Sequence, residues 1–335
     1  MPAASAAAPA QWARWADLLL APSAAVLRRW ALAGVITSAL IILTGAAVRL
    51  SQSGLGCPDW PNCTGSSLAA AGATGDPLIH RWVEFGNRLV TVAIFIVAAG
   101  VCIAAWRFRP SGGRRRRDLL WLAAAQPGAI VLQALLGGAV VATKLNPALV
   151  SVHFLASVAL IAATVGLYVR CQEGTARPVP LVPGPVRLAA RGVVGTIALM
   201  VTAGTVVTGT GPLAGAADVK RYHLPLEGVT QLHADIGWLL GGLIVALLLG
   251  LRLTAAPRTA VRLGWLLLGL IGLQGVIGYA QYFSGLPAGL VWFHVTGSVG
   301  IWITALLLPY ALRERGSISD HADNPAVSAP QAASA

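Results

Sequence analysis

Charge is what this sequence has least of. Only 11% of its 335 residues are charged and only 12 are acidic, whereas an average soluble domain is about 25% charged. So thin a supply excludes a soluble enzyme, and 56% hydrophobic residues exclude a disordered chain. Cysteine is nearly absent, at four residues, and no His/Cys/carboxylate cluster supplies the four close ligands of a zinc site. The first 25 residues lack the Ser enrichment and cleavage pattern of a transit peptide. They read as a cytoplasmic tail, assigned to 1–28, and the Ser/Ala/Pro-rich end, 313–335, reads as a second, disordered one.

Long charge-free runs fill the rest. Residues 31–48, 89–106, 119–143, 145–169 and 192–217 carry no charge, and each is long enough to cross about 30 Å of hydrocarbon. The run 263–312 is twice a span and must fold back at Ser284-Gly285-Leu286-Pro287. Eight transmembrane helices are expected, near 29–51, 78–106, 119–142, 148–170, 191–210, 229–251, 263–283 and 288–312. The net charge of +12 would by itself suit a nucleic-acid binder. Its position decides otherwise: 18 of the 24 Lys and Arg fall on the inner side of this topology, both termini included. The remaining six, Arg49, Arg81, Arg88, Lys144, Lys220 and Arg221, are balanced by six acids on the outer side. The excess is therefore topological, the positive-inside pattern of a plasma-membrane protein, and implies no nucleic acid.

An internal repeat organises the chain. Leu132, Gln133, Gly137, Ala139, Leu145, Leu149, Val150, His153 and Ser157 have identical partners 141 residues on, from Leu273 and Gln274 to His294 and Ser298. The expected fold is all-α, two pseudo-symmetric four-helix bundles over 29–170 and 191–312, joined by a cytoplasmic linker at 171–190.

Five of the six histidines fall on the outer side: His80, His153, His223, His233 and His294. His153, His233 and His294 each lie about five residues into a helix, roughly 8 Å deep. His233 and His294 could face each other across the second bundle, as the two ligands of a haem iron do; the plainer alternative is hydrogen bonding between helices. In the first bundle the depth of His233 falls nearer Asn87 than His80. His80, Glu84, Asn87 and Arg88 form one polar stripe, in which Glu84 and Arg88 are either a helix ion pair or part of a functional site. Cys57 and Cys63 flank a five-residue outer loop, as a disulfide contributing about 2 kcal/mol or as a redox-active dithiol. Cys102 and Cys171 read as packing residues.

Over about residues 30–312 the sequence resembles the heme A synthases of aerobic bacteria and mitochondria. The resemblance rests on Thr44-Gly45-Ala46-Ala47-Val48-Arg49, Ser53-Gly54-Leu55-Gly56-Cys57-Pro58-Asp59-Trp60-Pro61 and Glu84-Phe85-Gly86-Asn87-Arg88. It continues through Gln133 and Gly137-Gly138 to His153-Phe154, Thr208-Gly209-Thr210-Gly211-Pro212, Gln231-Leu232-His233-Ala234-Asp235, and Gln274 and Gly278-Tyr279 to His294. It implies oxidation of a ring methyl group of heme O to a formyl group, giving heme A for terminal oxidases. It also implies a haem b held by His233 and His294, heme O bound in the first bundle with His153 as a ligand, and Glu84 as the catalytic carboxylate. Arg88 would orient Glu84, and Arg49 would pair a haem propionate. Heme O synthase, oxidase assembly factors and membrane lipids are the implied partners, in a bacterial plasma membrane.

Two departures from the family stand out. Many members carry Glu-x-x-His-Arg where this chain has Asn87, which leaves three arrangements: His80 ligates a shifted haem, His153 binds alone, or His80 serves as a proton or water relay. A second cysteine pair found in some members is missing from 211–229. The rival readings are a bis-histidine cytochrome passing electrons from quinones and a haem transporter or chaperone.

Overall fold

The computed structural model describes residues 22–68, 78–110 and 115–316. Eight of the helices in them are long and apolar enough to cross a membrane. They are α1 (Ala24–Leu50), α2 (Leu78–Arg107), α3 (Arg117–Ala142), α4 (Pro147–Arg170), α5 (Gly184–Thr210), α6 (Leu226–Leu253), α7 (Arg258–Phe283) and α8 (Ala288–Ala311). Between α4 and α5 lies strand β1 (Val179–Pro180), which pairs antiparallel with β2 (Arg313–Glu314) after α8. The protein is an all-α, multi-pass membrane protein. Leu89, Val92, Ile96 and Ile103 of α2 are exposed, a face suited to lipid.

Local chemistry sets the helix starts. The Ser23 hydroxyl accepts from Val26 N and the Asn146 side chain from Ala148 N, each satisfying an amide that a helix start leaves without a partner. Pro225, Pro257 and Pro287 stand immediately before α6, α7 and α8. Three helices begin five or more residues earlier than expected: α1 at Ala24 rather than 29, α5 at Gly184 rather than 191 and α7 at Arg258 rather than 263. The charge-free criterion stopped at Arg28, Arg29, Arg187, Arg191, Arg258 and Arg262, but a helix can run past the hydrocarbon while long arginine stems carry their charge to water. The tail expectations for 1–21 and 317–335 lie outside the described residues.

The repeat is visible in the backbone. α7 and α8 have the lengths of α3 and α4, displaced by 141 residues at both ends. The turn between them repeats too: Lys144 and Leu145 have φ of 52° and 58°, Gly285 and Leu286 of 79° and 61°. Glycine adopts this left-handed geometry freely, so the first copy pays more for the same turn. Buried positions align the other two pairs. Leu27, Ala31, Gly34, Ser38, Ala46 and Leu50 of α1 have buried mates 159 residues on in α5, and Ile94, Ala98, Val101 and Ala105 of α2 have buried mates 146 on in α6.

Within each half the four helices pack as a bundle; α4 meets α8 between the halves, flanked by the symmetry-related pairs α1 with α8 and α4 with α5. A continuous core runs through this joint, from Val35 and Ile42 through Val158 and Ile161 to Leu240, Ile244 and Trp302. Trp302 Nε1 donates to Val158 O at 2.9 Å, and Trp292 Nε1 to Leu43 O at 3.0 Å, both across the joint.

Candidate functional site

In the second bundle, α6 and α8 present His233 and His294 to each other, with ring centroids 6.2 Å apart. Both rings have room because small residues back them: a Cβ on Gly204 of α5 would lie 3.3 Å from His233 Cε1, and one on Gly278 of α7 would lie 3.5 Å from His294 Cε1. His233 faces the Met200 carbonyl and His294 that of Gln274, yet neither buried Nδ1 has a partner at full hydrogen-bond geometry. Two imidazoles bound to opposite sides of one metal ion, with N–metal bonds of about 2 Å, have centroids roughly 6 Å apart. The pair therefore fits a haem iron. Among the described residues no group of three or more His, Cys, Asp and Glu side chains could hold a metal ion.

The first bundle copies half of this arrangement. His153 of α4 takes the place of His294 and has the same glycine backing, 3.5 Å from a Cβ on Gly137; its Nδ1 is likewise buried without a partner. Gln133 Nε2 donates to His153 O at 3.1 Å and to Ser157 Oγ. Opposite, the register that aligns α2 with α6 puts Asn87 at the place of His233. Thr44 Oγ1 donates to Asn87 Oδ1 at 2.8 Å. His80 lies in the first turn of α2, where Nδ1 meets Ser53 Oγ at 2.8 Å.

Glu84 and Arg88 are built into the loop after α1. Cys57 and Cys63 are disulfide-bonded with Cα atoms 4.2 Å apart. Cys57 N donates to Glu84 Oε2 at 2.7 Å, and Arg88 Nη2 donates to Glu84 Oε1 at 2.8 Å. Arg88 also donates to the carbonyls of Cys57 (3.0 Å), Asp59 (3.1 Å) and Asn62 (2.8 Å). Trp60 of the same loop lies against α3, where a Cβ on Gly138 would come within 2.7 Å of its ring. Gly137 and Gly138 thus serve different neighbours, the histidine and the loop.

Arg49, at the end of α1, donates from Nη1 to Leu213 O of the second half at 2.9 Å, and Gly54 N donates to Gly215 O at 2.9 Å. Ser53, Thr44, Trp60 and the fan of carbonyls around Arg88 were absent from the sequence-level site. Their side chains are common types whose role depends on a partner distant in sequence. Only their grouping within the quoted motifs could have pointed to them.

Eight apolar helices in two related bundles, with an opposed histidine pair in one and a single counterpart in the other, define a multi-pass membrane protein. A family model for the COX15-CtaA cytochrome oxidase assembly proteins matches residues 28–306, and the chain belongs to this heme A synthase family. It is 26% identical over 335 aligned positions to the heme A synthase of Shewanella oneidensis, covering 84% of this chain and 96% of the relative. Over shorter stretches it is 34% identical to that of Lysinibacillus sphaericus (38% of this chain, 39% of the relative) and 30% to that of Listeria welshimeri (42% and 43%).

Proposed function

We propose that this protein is a heme A synthase, oxidising one ring methyl group of heme O to the formyl group of heme A. One observation carries the reading: two bundles share a backbone plan and one histidine, yet differ at the opposing position, His233 in one and Asn87 in the other. Two identical redox sites would suit an electron-transfer cytochrome. A closed bis-histidine site beside a different one suits an enzyme with a resident redox group and a substrate.

In this reading His233 and His294 hold haem b, which supplies reversible one-electron chemistry. His153 holds the substrate heme O. Glu84, fixed by the Cys57 amide and Arg88, places a carboxylate one helical turn from Asn87, where it can accept a proton or stabilise positive charge at the reacting carbon. Arg88 positions Glu84 and the loop together. Arg49 is the candidate partner for a propionate, and the arginine-rich end faces the cytoplasm. Heme O synthase and oxidase assembly factors are the expected partners.

Co-expression with a heme O synthase, followed by chromatography of extracted haems, tests the reading. A heme A peak that depends on this chain is expected; haem binding without heme A would favour a cytochrome or a transporter. In the same assay Glu84→Ala is expected to abolish the peak, and conversion at the wild-type rate would remove the carboxylate from the mechanism.

A further inference from the structure

Four features of the first bundle bear on the second axial position of its haem. Asn87 stands at the backbone position of His233, in a register set by four buried pairs along α2 and α6. Its side chain is shorter than an imidazole, and its amide nitrogen is delocalised into the carbonyl, so it is a poor iron ligand. The Thr44 hydroxyl lies 3.2 Å from the Ile41 carbonyl and nearer, 2.8 Å, to the Asn87 Oδ1, and the NH2 group has no hydrogen-bond partner among the described residues. Gly204 packs at 3.3 Å on His233, whereas a Cβ on its register mate Gly45 would meet no atom within 4 Å, so no side chain has closed against α1 at that position. His80 is held in place by its backbone, whose carbonyl lies 2.4 Å from where a Gly56 Cβ would stand, and its Nδ1 meets fully buried Ser53. It lies two turns, roughly 10 Å, from Asn87 along the helix.

Resting on the haem reading above, we propose that the first bundle holds its haem through His153 alone, and that the Asn87 NH2 donates a hydrogen bond to a small exchangeable ligand on the opposite face. The chemistry recognised is a water, a hydroxide or another small hydrogen-bond acceptor. Thr44 acts through Asn87, as a positioning residue that fixes which end of the carboxamide faces the haem.

The test uses the full chain in detergent, loaded with hemin. Wild-type protein should carry two components, one low-spin and inert to carbon monoxide when reduced, the other binding it. His153→Ala should remove only the second. Asn87→His should convert the second to low-spin and block carbon monoxide there. Asn87→Leu should keep the carbon monoxide site but bind fluoride to the ferric haem about tenfold more weakly, equivalent to about 1.4 kcal/mol; the retained low-spin component reports that the chain is folded. Unchanged fluoride affinity in Asn87→Leu overturns the proposal. So does a wild-type protein inert at both haems in which His80→Ala opens carbon monoxide binding. A chain that takes up no hemin overturns the haem reading itself, a different failure.

Discussion

At the scale of single residues, the recurring device is a glycine cut away to admit a larger side chain from the next helix. Gly137, Gly204 and Gly278 admit the three histidines, and Gly297 admits Gln274, whose Nε2 would lie 1.8 Å from a Cβ there. Gln274 is 4% exposed and has little room to retreat. Gly297→Ala is therefore expected to cost about 1–3 kcal/mol in thermal unfolding, and Gln274→Ala in the same chain should recover most of it. At Cys171, just beyond the end of α4, burial pushes the thiol up to about 12. A raised value means the reactive thiolate is scarce at neutral pH, so alkylation at pH 8 should spare Cys171 in the folded protein and reach it only after denaturation.

At the scale of elements, the disulfide loop and the start of α2 behave as one unit. Arg88 ties three loop carbonyls to Glu84, whose side chain is 8% exposed. Removing one member of a buried pair leaves the other charge unpaired, at a cost of about 3–5 kcal/mol. Arg88→Leu should lower the unfolding midpoint accordingly. Arg88→Lys should recover only part, because a point charge cannot reach several carbonyls and a carboxylate in one plane. Equal stability of Arg88→Leu and wild type would show that the loop stands without this clamp.

At the scale of the whole molecule, the joint between bundles is held at three levels. Arg49 and Gly54 bond the loop of the second half at one end, and the two tryptophans bond across the middle. At the arginine-rich end Glu173, itself paired with Arg170 of the first half, pairs with Arg313 beyond α8, beside the β1–β2 pairing. Trp302 is 8% exposed, so Trp302→Phe should lose one buried hydrogen bond, about 1 kcal/mol, while leaving the packing of each bundle intact. Thermal unfolding that separates into two steps in this variant would identify the joint as the weakest contact of the fold.

Eight spans, the fold-back at Ser284-Gly285-Leu286-Pro287 and the repeat around His153 and His294 could be read from sequence alone, because hydrocarbon thickness and helix rise turn apolar length directly into structure. The starts of α1, α5 and α7 were misplaced for the same reason: hydropathy measures where lipid stops, not where a helix does. Asn87 as the counterpart of His233 was legible only as a depth. Its bond to Thr44, the hold of Ser53 on His80 and the clamp of Arg88 on the loop each join α2 to a segment more than twenty residues away, with no periodic signature in the chain. Tertiary structure alone decided those, since hydrogen bonds between helices depend on which faces meet, and apolar length says nothing about that.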